Sequence, residues 1–264
     1  MKPILAILGV VISALQYSVS APVCLDLTGS VERVLYHSEL VEDDFVYSVY
    51  LPPCYEQGTR SYPVLYLLHG LRSNDSHWQQ LGLVSLLNEL IASGTLPPLI
   101  VVMPYGGTIA NVNAFGTSSW PSVFIYELMP NAETKYRVTR DPTLRGIGGI
   151  SRGGFWAYYI AFKFPGRFSV VGGHSAAFSV SHQPPQFNPL TLAETTPDLE
   201  TVRFWLDRAP LDPGRGPLDL LATAMKSRGL SLQYKIYPSG EHENSYWAAH
   251  LNDYLSFYAA TWPR

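Results

Sequence analysis

The order of apolar segments along the chain is the feature that most restricts its fold. Two early segments, residues 31–40 and 45–51, have the composition and alternation of paired antiparallel strands. After them, continuous apolar segments typical of strands buried on both faces alternate with segments of helical spacing. Such alternation builds a mostly parallel sheet. The chain is therefore predicted to form an α/β fold with a central sheet of about eight strands, covered by helices on both faces. The later strands are expected at residues 63–68, 99–103, 144–150, 168–172, 202–206 and 232–237.

Helices and one long loop are predicted between these strands. Residues 121–136 should form a helix that is interrupted near Pro130, because proline removes a helical hydrogen bond. Residues 105–119 are rich in Gly, Asn, Thr and Ser and predict a long loop, which in a compact domain is often functional. The connection between residues 175 and 201 is too short for a large helical lid. The remaining helices are expected at residues 78–92, 152–164, 217–227 and 246–260.

Composition excludes several classes of protein. The chain has 264 residues, of which 47% are hydrophobic and 13% aromatic, so it is not disordered. Charged residues make up 15%, and the formal net charge is −3. Neither nucleic acid nor an anionic membrane attracts such a surface electrostatically, so neither is expected to be the main partner. One domain, residues 22–264, accommodates this length.

The first 21 residues resemble a targeting segment. Lys2 precedes an apolar run over residues 3–15, and small residues lead to Ala21. This pattern predicts a signal peptide over residues 1–21 and therefore export. The run is too short to span a bilayer, which takes roughly 20 apolar residues. The alternatives are an uncleaved anchor or a buried helix.

Two cysteines, Cys24 and Cys54, remain after the predicted signal. In an exported protein they are expected to form a disulfide, because oxidising compartments preserve such bonds. The alternative is a pair of free buried thiols. The Cys and His residues lack the spacing of a zinc site, and neither metal nor cofactor is expected.

Residues 149–153, Gly-Ile-Ser-Arg-Gly, fit the pattern of a nucleophile elbow. An apolar strand precedes them and a helical pattern follows, which is the context that the motif requires. The turn is so tight that side chains two residues before or after Ser151 would meet backbone. The pattern predicts that Ser151 is a nucleophile. The alternative is an ordinary strand-to-helix turn with serine as the helix cap.

A serine nucleophile needs a base and an orienting carboxylate, which follow it along the chain in the order acid, then histidine. His242 lies between the last strand and the last helix and is the preferred base. His250 lies within that helix, and His182 precedes the candidate acids. For the acid, Asp212 is preferred to Asp207, which lies at the strand edge and could be structural.

Two backbone amides are candidates for an oxyanion hole. The amide of Arg152 opens the helix after Ser151, where N–H groups have no partner within the helix. The second candidate is the amide of Leu71, which follows His69-Gly70 at the end of a strand. A simple strand-to-loop glycine explains that segment equally well.

Several segments together resemble the putative-esterase family of α/β-hydrolases, which includes esterase D-type, feruloyl, acetylxylan and enterochelin esterases and mycolyltransferases. The similarity extends over nearly all of the chain from residue 31. The segments that carry it are residues 50–55, 62–70, 127–130, 149–154 and 164–168, Trp78, Asp207 with Asp212, and residues 240–242 with Trp247.

The resemblance implies an α/β-hydrolase fold with Ser151 as nucleophile, Asp212 as acid, His242 as base, and the Leu71 and Arg152 amides as oxyanion donors. Together with the predicted signal peptide, it implies a secreted serine ester hydrolase for small or carbohydrate-linked small-molecule esters. The alternatives are an acyltransferase and a non-catalytic binding module. At one position the sequence departs from the family, which usually has glycine in the acid loop where Ala209 stands, two residues after Asp207.

Three aromatic residues, Trp78, Trp120 and Trp247, are candidates for lining a substrate pocket. Large aromatic side chains are more often part of the core, and a core role is favoured for most of them.

Overall fold

The computed structural model describes residues 26–178 and 184–263 of the chain. Their eight strands form one sheet in the order β1-β2-β4-β3-β5-β6-β7-β8. Strand β2 pairs antiparallel with β1 and with β4, and all other pairs are parallel. The predicted sheet is thereby confirmed. The strands are β1 (Ser30–Ser38), β2 (Asp43–Leu51), β3 (Val64–Leu68), β4 (Ile100–Tyr105), β5 (Arg145–Ile150), β6 (Val170–His174), β7 (Arg203–Arg208) and β8 (Ser231–Ile236).

Helices cover both faces of the sheet. Alternate residues of β3 point into two apolar clusters: Tyr66 packs with the helices of one face and Leu67 with those of the other. The first cluster contains residues of α3 to α7, and the second contains residues of α1, α2 and α8. The helices are α1 (His77–Gln80), α2 (Leu83–Ala92), α3 (Trp120–Val123), α4 (Met129–Lys135), α5 (Arg152–Lys163), α6 (Pro189–Thr195), α7 (Arg215–Ser227) and α8 (Asn244–Ala259).

The helix around Pro130 is continuous rather than interrupted. A π-helical turn, Phe124–Leu128, joins α3 to α4. Proline has no amide hydrogen for the carbonyl group of Tyr126, four residues earlier, and its ring crowds that carbonyl. A wider turn just before Pro130 relieves this conflict without breaking the helix.

Two further helical details differ from the expectation. The helix predicted at residues 78–92 is divided into α1 and α2 at Gly82, which has a φ of 95°. Helix α6 was not predicted, although Asn188 and Pro189 begin it in the usual way: the Asn188 side chain accepts a hydrogen bond from the Leu190 amide. Helix α6 has seven residues, and it is the longest helix in the described part of the connection between β6 and β7.

Some sequence predictions fall outside the described residues. These are the signal peptide at residues 1–21, Cys24 and His182. The signal and the pairing of Cys24 with Cys54 therefore stay predictions. Within the described ranges, no helix combines the length and the hydropathy that crossing a bilayer requires.

Candidate active site

Ser151 lies in a tight turn between β5 and α5. Its backbone has a φ of 53° and a ψ of −114°, a conformation that is strained for any residue other than glycine. A Cβ atom on Gly149 would lie 2.3 Å from the carbonyl carbon of Gly153, and one on Gly153 would lie 2.4 Å from the oxygen of Leu68. Both positions therefore require glycine, as the motif predicts, because backbone atoms approach too closely for a side chain.

The strained backbone of Ser151 is held by its neighbours on the β6 side. Its amide donates to the carbonyl oxygen of His174 at 2.9 Å, and its carbonyl oxygen accepts from the amide of Ala177 at 2.9 Å. Such strain persists only where the surrounding structure holds it. The serine hydroxyl is thereby presented at the carboxyl end of the parallel strands.

Three side chains that are distant in sequence form one hydrogen-bonded chain. The Oγ of Ser151 lies 2.9 Å from Nε2 of His242, and Nδ1 of His242 lies 3.0 Å from Oδ2 of Asp212. A carboxylate can only accept, so Nδ1 carries the proton and Nε2 is free to accept from the serine hydroxyl. The His242 side chain is 26% exposed whereas that of Asp212 is inaccessible, so solvent or a substrate reaches the imidazole but not the carboxylate.

The carboxylate of Asp212 is buried but well supplied with donors. Burial by itself would raise its pKa, but hydrogen bonds from His242 and from the Gly214 amide outweigh burial and hold the pKa below its ordinary value. Ala209, at the position where the family usually has glycine, is buried and does not need a positive φ. The departure at Ala209 therefore does not keep Asp212 from His242.

Asp207, the other candidate acid, has different partners. It is fully buried, and its oxygens accept hydrogen bonds from Nδ1 of His174 at 2.7 Å and from the side chains of Trp205, Tyr246 and Tyr254. These donors belong to β6, β7 and α8. Asp207 thus connects β6, β7 and α8 within the core, whereas Asp212 contacts the histidine beside Ser151.

The two candidate oxyanion amides are available as donors. Arg152 is the first residue of α5, and Leu71 lies in a turn that is closed by a hydrogen bond from the Ser73 amide to the Gly70 oxygen at 3.2 Å. Among the described residues, neither the Leu71 amide nor the Arg152 amide has an acceptor. Unsatisfied amides at such positions are the donors that stabilise an oxyanion.

The long loop at residues 105–119 supports this region. The Arg152 guanidinium donates to the carbonyl oxygens of Ala110 and Val112, at 3.1 and 2.7 Å. Burial lowers the pKa of this guanidinium to about 10. Within the same loop, the Asn111 side chain accepts from the amide of Arg72, next to Leu71. The loop therefore links the two segments that carry the candidate oxyanion amides, a role that no sequence signal assigned to Asn111.

A cavity of about 420 Å³ opens beside Ser151 and His242. Of the three candidate tryptophans, Trp247 lines it, with its ring edge-on to His242 at 5.2 Å. Trp78 and Trp120 are only 1% and 2% exposed and pack in the core, the role favoured for such residues, so the pocket assignment does not apply to them at this cavity. The lining residues are Gly70, Leu71, Ser73, His77, Gln80, Ser151, His242, Asn244 and Trp247.

Among these, sequence reasoning did not single out Ser73, His77, Gln80 or Asn244, which belong to no recognisable motif. Nε2 of His77 lies 2.9 Å from the side-chain oxygen of Asn244. Elsewhere in the described ranges, no group of three or more His, Cys, Asp and Glu side chains is arranged to hold a metal ion.

The glycine before the elbow provides a test of this geometry. Replacing Gly149 with alanine is expected to lower the free energy of unfolding by about 3 kcal/mol, because the added methyl group meets backbone that cannot move aside. The matched control is Gly216→Ala in α7, where nothing lies within 4 Å of the new Cβ. That change should raise stability by about 0.5 kcal/mol through the entropy of the unfolded chain. Urea unfolding of both variants checks the difference, and equal stabilities would contradict it.

Comparison with known proteins identifies the family. Residues 38–213 match the model of the family described as Putative esterase. The chain belongs to this family. It is 32% identical over 153 residues to an endo-1,4-beta-xylanase/feruloyl esterase of Xylanibacter ruminicola, covering 54% of this chain and 21% of that protein. It is 33% identical over 138 residues to an esterase of Mycobacterium tuberculosis, covering 50% and 29%. This family member thus spans less than a third of the length of each of these two curated relatives.

Solved structures agree with the family and the fold. A ferulic acid esterase superimposes with a TM-score of 0.80 at 26% identity, covering 88% of this chain and 98% of that one. An S-formylglutathione hydrolase from Agrobacterium tumefaciens superimposes with a TM-score of 0.74 at 18% identity, covering 89% and 96%. The predicted α/β-hydrolase fold is confirmed. The prediction of an esterase is confirmed at the level of the family, whose matching members are named esterases.

Proposed function

We propose that this chain is a serine carboxylic-ester hydrolase in which Ser151 is the nucleophile. The observation that carries the proposal is the hydrogen-bonded chain from Ser151 through His242 to Asp212, formed at a strained elbow beside a cavity. His242 acts as general base and then as general acid, and Asp212 holds its tautomer and orientation.

The reaction follows from these positions. The Oγ of Ser151 attacks the ester carbonyl carbon while its proton passes to Nε2 of His242. The tetrahedral oxyanion is bound by the amides of Leu71 and Arg152. The bond to the alcohol then breaks, and the alcohol leaves with the proton from His242. Water attacks the acyl-enzyme with His242 again as base, which releases the carboxylic acid and returns the proton to Ser151.

We propose small or carbohydrate-linked esters as substrates. The cavity volume is in the range of small-molecule sites. Ser73, Gln80 and Asn244 on its wall offer hydrogen bonds to a hydroxyl-rich alcohol, and Trp247 offers an apolar surface to the acyl group. Because one relative is named xylanase/feruloyl esterase and one structural neighbour is a ferulic acid esterase, feruloyl esters belong on the test panel.

We further propose that residues 1–21 direct export, that residues 22–264 act as one domain, and that Cys24 and Cys54 form a disulfide. The basic residue followed by an apolar run supports the first proposal, and the single sheet from β1 to β8 supports the second. Mapping peptides of the secreted protein without reduction tests the disulfide.

The proposed function is tested by trapping the acyl-enzyme. The protein is mixed with p-nitrophenyl acetate, quenched with acid and digested, and the peptides are weighed. The expected result is a burst of nitrophenol and one acetyl group on the peptide that contains Ser151. Ser151→Ala is the control and should show neither. An acetyl group on another residue would contradict the assignment. Turnover with neither a burst of nitrophenol nor an acetylated peptide would contradict it as well.

The product analysis also separates hydrolysis from acyl transfer. With a sugar or simple alcohol added as acceptor, a hydrolase releases mainly free acid, whereas a transferase forms the new ester. A predominance of new ester over free acid would replace the hydrolase proposal with the transferase one.

A further inference from the structure

His69, at the end of β3, uses both of its ring nitrogens in hydrogen bonds. Nδ1 lies 2.7 Å from the carbonyl oxygen of Gly70, and Nε2 lies 3.1 Å from the amide nitrogen of Gly106. The Gly106 amide can only donate, so Nε2 is the acceptor and Nδ1–H donates to Gly70. The ring is buried, and this burial lowers its pKa, which favours the neutral form that this pattern requires.

The carbonyl group of Gly70 and the amide of Leu71 belong to the same peptide group. The described residues contain no cis peptide bond, and in a planar trans peptide the C=O and N–H bonds point in opposite directions. A donor that fixes the Gly70 oxygen therefore also fixes the direction of the Leu71 N–H. It polarises the peptide as well, which makes that N–H a stronger donor.

This peptide is held close to the nucleophile turn. A Cβ atom on Gly153, in the first turn of α5, would lie 2.6 Å from the carbonyl oxygen of His69. Gly70 and Leu71 line the same cavity as Ser151. On the other side of Gly70, its amide donates to Nδ1 of His77 at 3.4 Å. The two polar groups of Gly70 are thus each bound to an imidazole.

We propose that His69 is a positioning residue of the oxyanion hole: its Nδ1–H holds the Gly70–Leu71 peptide so that the Leu71 amide points at the developing oxyanion. The role of Leu71 itself rests on the proposed function. His69 touches no reacting atom, and its effect passes through one peptide group. It therefore lowers the barrier of the chemical step and leaves the binding of substrate unchanged.

Two substitutions divide the functions of the two ring nitrogens. In His69→Asn the side-chain amide nitrogen lies near the position of Nδ1 and keeps the donor to Gly70, but the Gly106 amide loses its acceptor. In His69→Gln the longer side chain carries its oxygen to the position of Nε2 and keeps the acceptor for Gly106, but the donor to Gly70 is lost. The longer turn hydrogen bond from the Ser73 amide, at 3.2 Å against 2.7 Å for His69, keeps the Gly70 oxygen paired in that variant but holds the peptide less firmly.

The two variants are expected to rank in opposite order: His69→Gln should lose more activity, and His69→Asn should lose more stability. For p-nitrophenyl acetate, His69→Gln should lower kcat about 100-fold with KM nearly unchanged, the loss typical of one oxyanion donor. It should weaken inhibition by a trifluoromethyl ketone, which forms an oxyanion on Ser151, by a similar factor. His69→Asn should keep kcat within about tenfold of the wild type. It should nevertheless have the lower Tm, because the buried Gly106 amide is left unpaired.

A purely structural role predicts that activity follows stability, so equal kcat values for the two variants, or a loss that appears in KM, would overturn the proposal. Leu71→Pro provides a second measurement if either variant folds poorly. It deletes the N–H at the second turn position, where proline is favoured. It should match the kcat loss of His69→Gln, and wild-type activity in it would also overturn the proposal. A failure of the proposed function itself would be recognised separately, because the Ser151→Ala variant would then still turn over the ester.

Discussion

Replacing His242 with alanine is expected to lower kcat for an ester substrate by about 10⁵- to 10⁶-fold. Without the imidazole, 2.9 Å from the Ser151 oxygen, the hydroxyl loses the base that accepts its proton during attack and the acid that returns a proton to the leaving alcohol. Ser151→Ala should lose about as much, and the double variant should be no slower than either single variant, because the two residues act as one unit. Turnover of p-nitrophenyl acetate by the three variants measures this.

The matched control for His242→Ala is His250→Ala, in the helix α8 that follows His242. The ring of His250 stacks on Tyr237 at 3.4 Å and has no contact with Ser151. Its loss should leave kcat within about threefold of the wild type, since it removes packing rather than a proton acceptor. Losses that add in the double variant of Ser151 and His242 would show that the two residues do not act together.

Replacing Asp212 with asparagine should lower kcat by about 10⁴-fold while the fold is retained. Asparagine keeps the shape of the side chain but removes the negative charge that fixes the His242 tautomer and stabilises the imidazolium. The hydrogen bonds from His242 and the Gly214 amide, which hold the pKa of Asp212 below its ordinary value, favour the ionised carboxylate in the wild type. The kcat of Asp212→Asn, measured per folded molecule, is the deciding quantity.

Asp207→Asn is the matched partner of that substitution and should behave in the opposite way. Its carboxylate accepts four hydrogen bonds from buried donors, so the change is expected to lower the free energy of unfolding by about 3 kcal/mol. The folded fraction should keep kcat within about tenfold, because Asp207 does not contact His242. Urea unfolding and kcat measured on both variants test this pattern. The reverse pattern would make Asp207 the acid of the reaction.

Local sequence patterns predicted most of the strands because a strand that is buried on both faces must be apolar along its whole length. Local patterns predicted the helices less well where the packing around a single residue, such as Pro130, determines the helical geometry. The turn before Pro130 widened instead of breaking, since α3 and α4 are both packed against the sheet. Helix α6 is short, so its periodic pattern is weak, and only Asn188 and Pro189 marked its start.

Some features of the candidate site were likewise predictable from local sequence, and others were not. The elbow was predictable because its constraint is local: Gly149 and Gly153 lie within two residues of Ser151, and their backbone contacts require the absence of a side chain. Asp212 was preferred to Asp207 from the sequence, but the pattern alone did not separate them, because both lie near the end of the same strand. The roles of His69 and Asn111 were not predicted, since they depend on side-chain hydrogen bonds to backbone groups of Gly70, Gly106 and Arg72 that no sequence motif marks.

The sequence by itself determined the class of fold, the position of the tight turn and the residues able to serve as nucleophile, base and acid. These properties depend on period, apolar run length and steric limits within a few residues of one another. Only the tertiary structure decided which acid meets His242 and which side chains share the cavity. Those contacts join atoms 30 and 91 residues apart, and their distances depend on the register and twist of the whole sheet.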